Sequence, residues 1–410
     1  MRSVYYLLLL SLPLVAQQPA RVTGLKRTRI DYLLRQVPGF TTATDSSTLW
    51  SLRQQLVNLP LLADATFRPR VVAGGDTLVY WTFDEARTVF PLLSFGGLAD
   101  NIFFLLGVRD INWRGRGNQL EAYYQNNAGE HNFRLFLANP NLRYGRWGYS
   151  AELQRYAARE PLYFPERLDY QYVNLTAGFG ISYTLRPRSV YRLGANVFRE
   201  HYTRLDRSEL GPADLRQTKF LLKASYHHDR RDYFGERQAG WFHSTVGQTV
   251  LTGGQATPFF IGWHELRHYR PTGRRGNLAG RLRMGLSSND ATPFAPFVLD
   301  SQFNLRGIGN RIDRGTAQLV LNLEYRHSFV RDTRDRFVLQ GVAFSDLGSW
   351  RSPGGSLSDL VDGASVRHFV GGGLRLASPR ISSAVVRIDY GTDVAGTDDR
   401  GLVVGFGQFF

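Results

Sequence analysis

The sequence predicts a membrane all-β protein, an antiparallel transmembrane β-barrel of about sixteen strands preceded by one small α+β unit of order β-α-α-β-β. Three observations lead to this prediction. From about Phe90 to Phe410, apolar and polar residues alternate as in strands, and no helical period persists. Beyond the N-terminus, no run of about 20 apolar residues could cross a membrane as a helix. An arginine-glycine loop precedes two strands that each carry one inward acid.

Residues 1–17 are predicted to be an export signal. Arg2 supplies the positive start, Val4 to Leu10 the apolar stretch, and Ala16 a small residue at a cleavage position. Leu14 is a poor residue two positions before that cleavage site. The alternative is an apolar first strand or helix. An exported chain with no second apolar helix is not expected in the inner membrane.

Residues 20–88 form the predicted α+β unit. A short strand begins at Arg21, a helix capped by Thr28 follows, and Asp45 opens a second helix. Leu49, Leu52, Leu56 and Leu59 recur at spacings of three and four, which places them on one helix face. Two alternating segments around Gly74-Gly75 complete the order as a hairpin.

Residues 90–410 form the predicted barrel, because 321 residues at roughly 20 per strand and connection allow about sixteen strands. Residues 317 to 326 alternate between an apolar face and a face that carries Glu324 and Arg326. Charges on the face away from lipid indicate a polar, watered interior. A soluble β-sandwich with its polar face outward is the alternative. Long polar segments at 159–169, 204–217 and 350–365 are predicted to be extracellular loops.

Composition narrows the possible partners. The chain has 410 residues, 50 Lys and Arg against 35 Asp and Glu, a net charge of +15 and no cysteine. The arginines are spread through strands and loops rather than gathered with aromatics, so nucleic-acid binding is not expected. Attraction to outer-membrane lipids and lipopolysaccharide phosphates is expected instead, since arginine binds phosphate in a bidentate manner. The absence of cysteine excludes disulfides, a cysteine zinc site and a lipoprotein anchor.

Several motifs together resemble one protein family. They are Arg306-Gly307-Ile308 as an arginine-glycine loop motif, Phe344-Ser-Asp-Leu-Gly348 as a Phe-x-Asp-x-Gly strand, and the closing segments 371–375 and 387–391. With the β-α-α-β-β unit, this order is similar to the bacterial surface antigen superfamily, the POTRA-plus-barrel proteins that include BamA, TamA and the two-partner secretion transporters. The unit at 20–88 then resembles a single POTRA domain, in the periplasm, below a barrel in the outer membrane of a Gram-negative-type bacterium.

The resemblance implies a role for each motif. Arg306 is expected on a loop folded into the lumen, where it meets the inward acids Glu324 and Asp346. A buried arginine needs carboxylate partners, which fit its fork, whereas a solvated loop arginine is the alternative. Ile308 stands where the family has an aromatic residue, so weaker anchoring of the loop is expected. Gly405 and Phe410 are expected to form the signal of a C-terminal strand.

Two motifs suggest metal chemistry that their context does not support. His264 to His268 spell His-Glu-x-x-His, but zinc proteases need this pattern on a helix, and residues 259–270 alternate as a strand. His227-His228-Asp229 lies among arginines at a predicted strand end and is interpreted as a solvated loop. No catalytic residue, no metal site and no cofactor are predicted, and the chain is not expected to be an enzyme.

The predicted function is outer-membrane biogenesis. The chain would assist assembly and insertion of outer-membrane proteins by strand addition at the POTRA edge and by parting of the barrel seam. Its expected partners are unfolded outer-membrane protein clients, with periplasmic chaperones or accessory lipoproteins as further candidates. The alternative is a transporter or gated pore of the same superfamily that translocates protein or lipid. An exported zinc enzyme is a third hypothesis, which metal analysis would test.

Overall fold

A computed structural model describes most of the chain. The described residues are 20–72, 74–96, 103–127, 129–164, 166–186, 188–206, 210–253, 257–290, 295–299, 303–308, 313–332, 337–378, 385–396 and 399–410. The predicted export signal at residues 1–17 lies outside them. Within the described ranges, none of the helices has the length and apolar character needed to cross a membrane.

The N-terminal unit is a three-stranded sheet covered by two helices. Its elements follow the order β-α-α-β-β, and β3 is the central strand, parallel to β1 and antiparallel to β2. The elements are β1 (Arg21–Thr23), α1 (Ile30–Gln36), α2 (Ser46–Val57), β2 (Leu62–Val71) and β3 (Thr77–Glu85). Trp81 is fully buried at the centre of their core, against Leu49 and Leu56 of α2. These leucines share one face because their spacing matches the helical period.

The two helices begin differently. Asp45 caps α2 by accepting a hydrogen bond from the backbone N–H of Thr48 at 2.8 Å. Thr28 was predicted to cap the first helix, and this is wrong, because α1 starts after Arg29 and has no side-chain cap. The Thr28 N–H instead donates to Glu85 at 2.7 Å, and its hydroxyl accepts from Asn112 at 3.0 Å. Thr28 therefore connects the unit to the large sheet.

Most of the remaining described residues form one antiparallel sheet of 17 strands. Sixteen of them have seven or more residues, and β12 has three. They are β4 (Val89–Gly96), β5 (Phe103–Trp113), β6 (Asn118–Asn127), β7 (Glu130–Asn139), β8 (Trp147–Phe164), β9 (Glu166–Arg186), β10 (Ser189–Arg204), β11 (Asp214–Asp229), β12 (Asp232–Phe234), β13 (Arg237–Thr252), β14 (Phe259–Thr272), β15 (Gly276–Ser287), β18 (Ala317–Arg331), β19 (Val338–Arg351), β20 (Val366–Ala377), β21 (Val385–Asp393) and β22 (Arg400–Phe406). A small hairpin, β16 (Phe297–Leu299) with β17 (Asp313–Gly315), lies between β15 and β18.

The sheet curves until its last strand, β22, lies next to its first, β4. A ladder of directly paired residues joins each other pair of neighbouring long strands. Strands β22 and β4 are hydrogen-bonded neighbours too, but the contact between them is far less extensive than that between any other pair of neighbouring long strands. We call this meeting of β4 and β22 the seam.

The two ends of the sheet differ. The N-terminal unit lies at the end with the connections after β5, β9, β11 and β14, and Asn58 of this unit donates to Asp232 at 2.9 Å. The hairpin β16–β17 and the connection between β19 and β20 lie at the opposite end. The predicted loop at 159–169 is mostly strand, since β8 and β9 pair from Trp147 to Phe164. The polar residues of this segment predicted a loop, but β8 and β9 continue past the apolar part of the sheet.

Candidate functional site

The candidate site is a cluster of charges inside the curved sheet, built around Arg306. This residue lies on the segment Leu305–Ile308, between β16 and β17, and its side chain is completely buried. The segment folds back against the inner face of β18 and β19. In β18, Glu324 is buried whereas its neighbours Leu323 and Tyr325 are exposed, because side chains alternate across a strand.

Three donors of Arg306 form hydrogen bonds with Asp346 of β19. Its backbone N–H and its Nε both donate to Asp346 Oδ2, at 3.0 and 2.8 Å, and Nη2 donates to Oδ1 at 2.9 Å. This is a bidentate fork with an added backbone bond, the strongest geometry available to an arginine–carboxylate pair. Asn322 also donates to Asp346 Oδ1 at 2.8 Å and to the Asn304 carbonyl at 2.8 Å. The loop is therefore fixed through both its side chain and its backbone.

Glu324 is the hub of the cluster. It accepts hydrogen bonds from Arg306 Nη1 and from Arg326 Nε, and Arg375 Nη2 lies 3.7 Å from its Oε2. Each of these side chains is fully buried. A carboxylate removed from water is costly unless it is paired and hydrogen-bonded. Three arginines around one glutamate meet that condition.

A second acid extends the network to β20 and β21. Arg375 and Arg387 stand directly opposite each other in the ladder, and Asp389 separates their charges. Asp389 Oδ1 accepts from Arg375 at 2.6 Å, and Oδ2 accepts from Arg387 at 3.1 Å. The sequence motifs included the closing segments 371–375 and 387–391, but Arg375, Arg387 and Asp389, like Arg326, were not predicted to belong to the site. Alternation could have supplied the face, but only the strand register shows that the charges meet.

Aromatic rings cover the Arg306 guanidinium. Its carbon lies 3.8 Å from the centre of the Phe344 ring and 4.3 Å from that of Phe409. A cation over a ring face is attracted to the negative electron density of the ring, most strongly when water is excluded. Phe344, the first residue of the Phe-x-Asp-x-Gly motif, thus packs on the same arginine that its Asp346 binds.

Glycines make the close approach possible. Gly307 has a φ of +104°, and a Cβ there would lie 2.8 Å from the carbonyl carbon of Gly391. A Cβ on Gly391 would lie 2.6 Å from the Arg306 oxygen. At the end of the Phe-x-Asp-x-Gly motif, a Cβ on Gly348 would lie 2.8 Å from Leu299 and 2.9 Å from Leu305. The loop therefore packs directly against the strand backbone, in space that side chains at Gly348 and Gly391 would otherwise fill.

Ile308 is anchored in spite of its aliphatic side chain. It is 3% exposed and packs in a buried apolar cluster with Leu299, Leu305, Val320, Trp350 and Phe369. The family's aromatic residue is absent here, but the cluster fills the space around an isoleucine. The expected weaker anchoring of the loop is not seen at Ile308, because its side chain is buried and closely packed.

The C-terminal residues do not continue the last strand. Strand β22 ends at Phe406, Gly407 has a φ of +84°, and Phe409 and Phe410 are 6% and 5% exposed. Phe410 was predicted to belong to a C-terminal strand together with Gly405, and this is wrong for Phe410. Gly405 does lie in β22, where it faces the Arg387 guanidinium.

The tail instead enters the charge cluster. We use "tail" for residues 407–410. Arg326 Nη2 donates to the Phe410 oxygen at 3.1 Å, and Arg281 lies 5.3 Å from the Phe409 ring and 5.4 Å from the Phe410 ring. Apolar burial of the two phenylalanines and their attraction to the arginines stabilise this position of the tail.

A second ion pair holds the hairpin to the opposite wall. Arg314 of β17 donates to Glu160 of β8, and both side chains are close to 11–12% exposed. Sequence reasoning missed this pair because 154 positions separate the two residues. The loop is thus fixed to two walls, by Arg306 on one side and Arg314 on the other.

The candidate metal motifs are strand residues. His264 and His268 lie on the exposed face of β14, where His264 Nδ1 is 2.8 Å from Thr245 Oγ1 and His268 packs 3.9 Å from the Trp241 ring. Glu265 points to the other face and binds Arg267 at 2.5 Å. His228 ends β11 and is 2.6 Å from Ser189 Oγ. No group of three metal-ligating side chains occurs within the described ranges.

The chain is similar in sequence and in fold to known proteins. A family model described as the Omp85 superfamily domain matches residues 112–410. BamA from Haemophilus ducreyi lacking POTRA domains 1–3 is similar at a TM-score of 0.57 and 14% identity, covering 94% of this chain and 82% of that one. CdiB from Escherichia coli has a TM-score of 0.62 at 14% identity, with 94% and 75% coverage. CdiB from Acinetobacter baumannii has a TM-score of 0.58 at 14% identity, with 95% and 74% coverage.

None of the curated proteins matches the sequence. At 14% identity the structural similarities show the fold alone. The resemblance to the BamA-type superfamily, which the motifs at 306–308 and 344–348 indicated, is confirmed by the family match.

Proposed function

The chain belongs to the Omp85 superfamily, and from this premise we propose that it assists the assembly and insertion of outer-membrane β-barrel proteins. The large sheet would form a closed barrel in the outer membrane, and the N-terminal unit would be a single POTRA domain in the periplasm. The work would be non-covalent, without catalytic residues, metal or cofactor. Members of this superfamily are outer-membrane β-barrels, which supports the location.

The outward face supports a membrane position. Large apolar side chains on strands far apart in the sheet are about half exposed, as a lipid-facing band requires. Examples are Leu135, Leu153, Leu193, Leu222 and Leu402. Inward positions of the same sheet carry buried charges such as Glu324 and Asp389. This arrangement, apolar outward and charged inward, is unfavourable for a protein surrounded by water.

The observation that carries the proposal is the seam. Strands β4 and β22 have eight and seven residues, and their contact is the least extensive between neighbouring long strands. When these two strands part, their backbone groups are left unpaired in lipid, which is costly, so a strand that pairs with them is stabilised. A client β-strand can supply those hydrogen bonds. The seam therefore suits templating of client strands by edge pairing.

The filled interior favours a lateral route. The Arg306 loop and the tail both pack inside the curved sheet, joined to its walls by buried ion pairs. Passage through the interior would require the ion pairs of the Arg306 loop to separate, whereas passage at the seam would leave those ion pairs intact. This difference supports insertion at the seam over translocation through the lumen.

The edge of the N-terminal sheet is the proposed docking place for extended clients. Strand β2 pairs with β3 on one side, and the sheet order leaves its other side at the edge. Pro69 lacks an N–H and lies between two arginines, features that discourage strand pairing. We therefore place client addition on Leu62 to Phe67. Periplasmic chaperones and accessory lipoproteins are further proposed partners.

Cross-linking the seam tests this function, and the chain has no native cysteine to interfere. Leu93 and Leu402 are both exposed on the outward face of the seam strands. A Leu93→Cys, Leu402→Cys protein joined by a flexible bismaleimide would be reconstituted into liposomes and offered an unfolded barrel client. Folding is scored by heat-resistant gel mobility. We expect the linked protein to fold client several-fold more slowly than the unlinked one.

The matched control links a neighbouring pair with a defined ladder. Ile388 and Val404 stand opposite each other on β21 and β22, and both are exposed. Linking Ile388→Cys to Val404→Cys should leave client folding unchanged. Equal client folding with the seam linked or free would overturn the seam mechanism. Depletion of the protein in its host then tests breadth: a general assembly factor lowers many barrels, and a specialised one lowers a single class.

The alternative is a transporter or gated pore, for which the polar inward face is the supporting observation. Removing the plug should raise conductance in planar bilayers under this reading. An Arg306→Ala protein that folds and conducts no more than the unaltered one counts against a lumen route.

A further inference from the structure

A pocket lined by arginines lies at the end of the sheet nearest the N-terminal unit. It has a volume of about 560 Å³ and is formed by the turn between β9 and β10 and by the end of β11. Its polar lining includes Arg186, Arg188, Arg230, Tyr226, His228 and Asp232. No part of the proposed seam or of the Arg306 cluster contributes to it.

The charges of this pocket are unbalanced. Asp232, the one acid among the described residues that line it, already binds Arg188 at 3.0 Å and accepts from Asn58 at 2.9 Å. Arg186 and Arg230 are exposed, and no carboxylate among the described residues pairs with either. The inward arginines, by contrast, are gathered around acids. Two guanidinium groups without acids on one pocket form a site for an anion, and guanidinium forks match phosphate oxygens.

An aromatic row fixes the depth of the pocket relative to the proposed membrane. Trp147 lies opposite Tyr183, Tyr183 opposite Tyr191, and Tyr191 opposite Tyr226, across four adjacent strands. Trp147 and Tyr191 are 56% and 47% exposed. Tryptophan and tyrosine are enriched at the headgroup level of membranes. The row therefore runs where the apolar face ends.

The pocket begins one step beyond this row. His228 follows Tyr226 by two residues and so keeps the outward face while lying nearer the turn. Leu185 lies two residues beyond Tyr183, at the register shift between β9 and β10. Leu185 is 43% exposed on the pocket wall. The same pocket thus offers apolar contact on its membrane side and two arginines on its water side. That polarity matches one molecule with acyl chains and an anionic phosphate.

We propose that this pocket binds the phosphate of a glycerophospholipid headgroup, in the leaflet on the side of the N-terminal unit. The inference rests on the membrane position proposed above. Arg186 and Arg230 bind the phosphate oxygens, and the Tyr226 hydroxyl is a further donor. Asp232 joins Arg188 to Asn58, so the lipid lies beside the docking contact of the N-terminal unit.

Lipid binding to the full-length protein in detergent tests the proposal. Native mass spectrometry would titrate dioleoylphosphatidylglycerol, dioleoylglycerol with the same chains but no phosphate, and inorganic phosphate. The test variant is Arg186→Gln with Arg230→Gln. The control is Arg274→Gln with Arg275→Gln, which removes the same charge from an exposed turn at the same end. Heat-resistant gel mobility confirms that each variant is folded.

The expected result is a loss of phosphatidylglycerol affinity of at least about tenfold in the test variant, and none in the control. Competition by inorganic phosphate would assign the site to phosphate itself, and its absence would assign the site to the lipid headgroup; both support phosphate recognition. Equal lipid affinity in the test variant and the unaltered protein overturns the proposal, as does equal binding of dioleoylglycerol. Because no client is present, these outcomes are independent of the seam experiment.

Discussion

The wall that carries the loop and the seam are built in opposite ways. Strands β18 and β19 have 15 and 14 residues and pair along their whole length, from Ala317 opposite Arg351 to Arg331 opposite Val338. The seam strands have eight and seven residues, and their contact is far less extensive than that of other neighbouring long strands. Backbone hydrogen bonds join β18 to β19, and buried ion pairs join both strands to the loop. At the seam, backbone hydrogen bonds and buried ion pairs are both less extensive.

Under the proposed function, this difference predicts that the sheet opens at the seam and not at this wall. The Arg306 network crosses from the loop to β18, β19, β20 and β21, and it stops one strand short of the seam except for the contact of Arg387 with Gly405. Parting β22 from β4 therefore breaks no buried ion pair of the network. Parting any strand of the loop-bearing wall breaks several. If the proposed function is right, stability is concentrated away from the place that moves.

The tail joins the two regions. It follows β22 directly, yet its phenylalanines pack on Arg306, Arg387 and Arg281. Movement of β22 at the seam is therefore opposed by withdrawal of two aromatic rings from the charge cluster. Changes to the loop, to its glycine and to the tail separate the contributions of wall and seam.

Removing the Arg306 side chain should have the largest effect. Arg306→Ala leaves Asp346 and Glu324 buried without the fork, and breaking a buried ion pair of this kind costs about 3–5 kcal/mol. We expect that loss in the free energy of unfolding, measured by guanidinium titration in detergent. The control is Arg216→Ala, because Arg216 is 75% exposed and contacts Asp214 at 3.4 Å. Its effect should stay under about 1 kcal/mol, and equal losses would show that Arg306 is not structural.

Substitution of Gly307 should have the next largest effect. An alanine Cβ would meet Phe369 at 2.7 Å and Gly391 at 2.8 Å, in addition to the strain of a φ of +104°. Such strain and overpacking each cost roughly 1–3 kcal/mol. Gly354→Ala is the control, since Gly354 has a φ of +77° with nothing within 4 Å of its Cβ. The difference between the two unfolding free energies isolates crowding at the wall, and a difference near zero contradicts close loop packing.

Replacing the ring of Phe409 should have a smaller effect that reaches the seam. Phe409→Leu keeps an apolar side chain of similar size but removes the ring contacts with Arg306 at 4.3 Å and Arg387 at 5.0 Å. Contacts of this kind contribute about 0.5–2 kcal/mol. Hydrogen exchange of the β22 amides should quicken, while exchange in β18 stays slow. Phe179→Leu, on the exposed outward face, is the control. Unchanged exchange in β22 would show that the tail does not hold the seam strand.

The sequence predicted the wall better than the seam, for physical reasons. Alternation around Glu324 places it inward regardless of distant contacts, and the spacing of Leu49, Leu52 and Leu56 defines one helix face. The final residues of the chain have the local pattern of a strand, and only the distant arginines make an inward turn at Gly407 favourable. Thr28 likewise has the local pattern of a cap, but Glu85 and Asn112 determine its hydrogen bonds. A sequence pattern depends only on neighbours along the chain, whereas these contacts depend on which distant residues the strand register brings together.

The smallest effect is expected at Glu85, which supports the segment entering the seam strand β4. Its Oε1 accepts from the Thr28 N–H at 2.7 Å and its Oε2 from the Arg27 N–H at 2.9 Å. Burial alone would raise the pKa of this carboxyl, but the hydrogen bonds from Thr28 and Arg27 outweigh it and hold the pKa below its usual 4.5. A lowered folded-state pKa means that the stabilisation is complete above about pH 4.5 and is lost as the pH falls through the folded value.

Amide exchange at residues 27–29 should therefore quicken, after correction for intrinsic rates, between pH 5 and pH 3. Glu85→Gln should remove this pH dependence, whereas Asp84→Asn, at the exposed neighbouring acid, should keep it. The same pH dependence in all three proteins would assign the effect to another group and leave Glu85 without a part in fixing the Arg27–Thr28 segment, which bonds to Asp110 and Asn112 of β5.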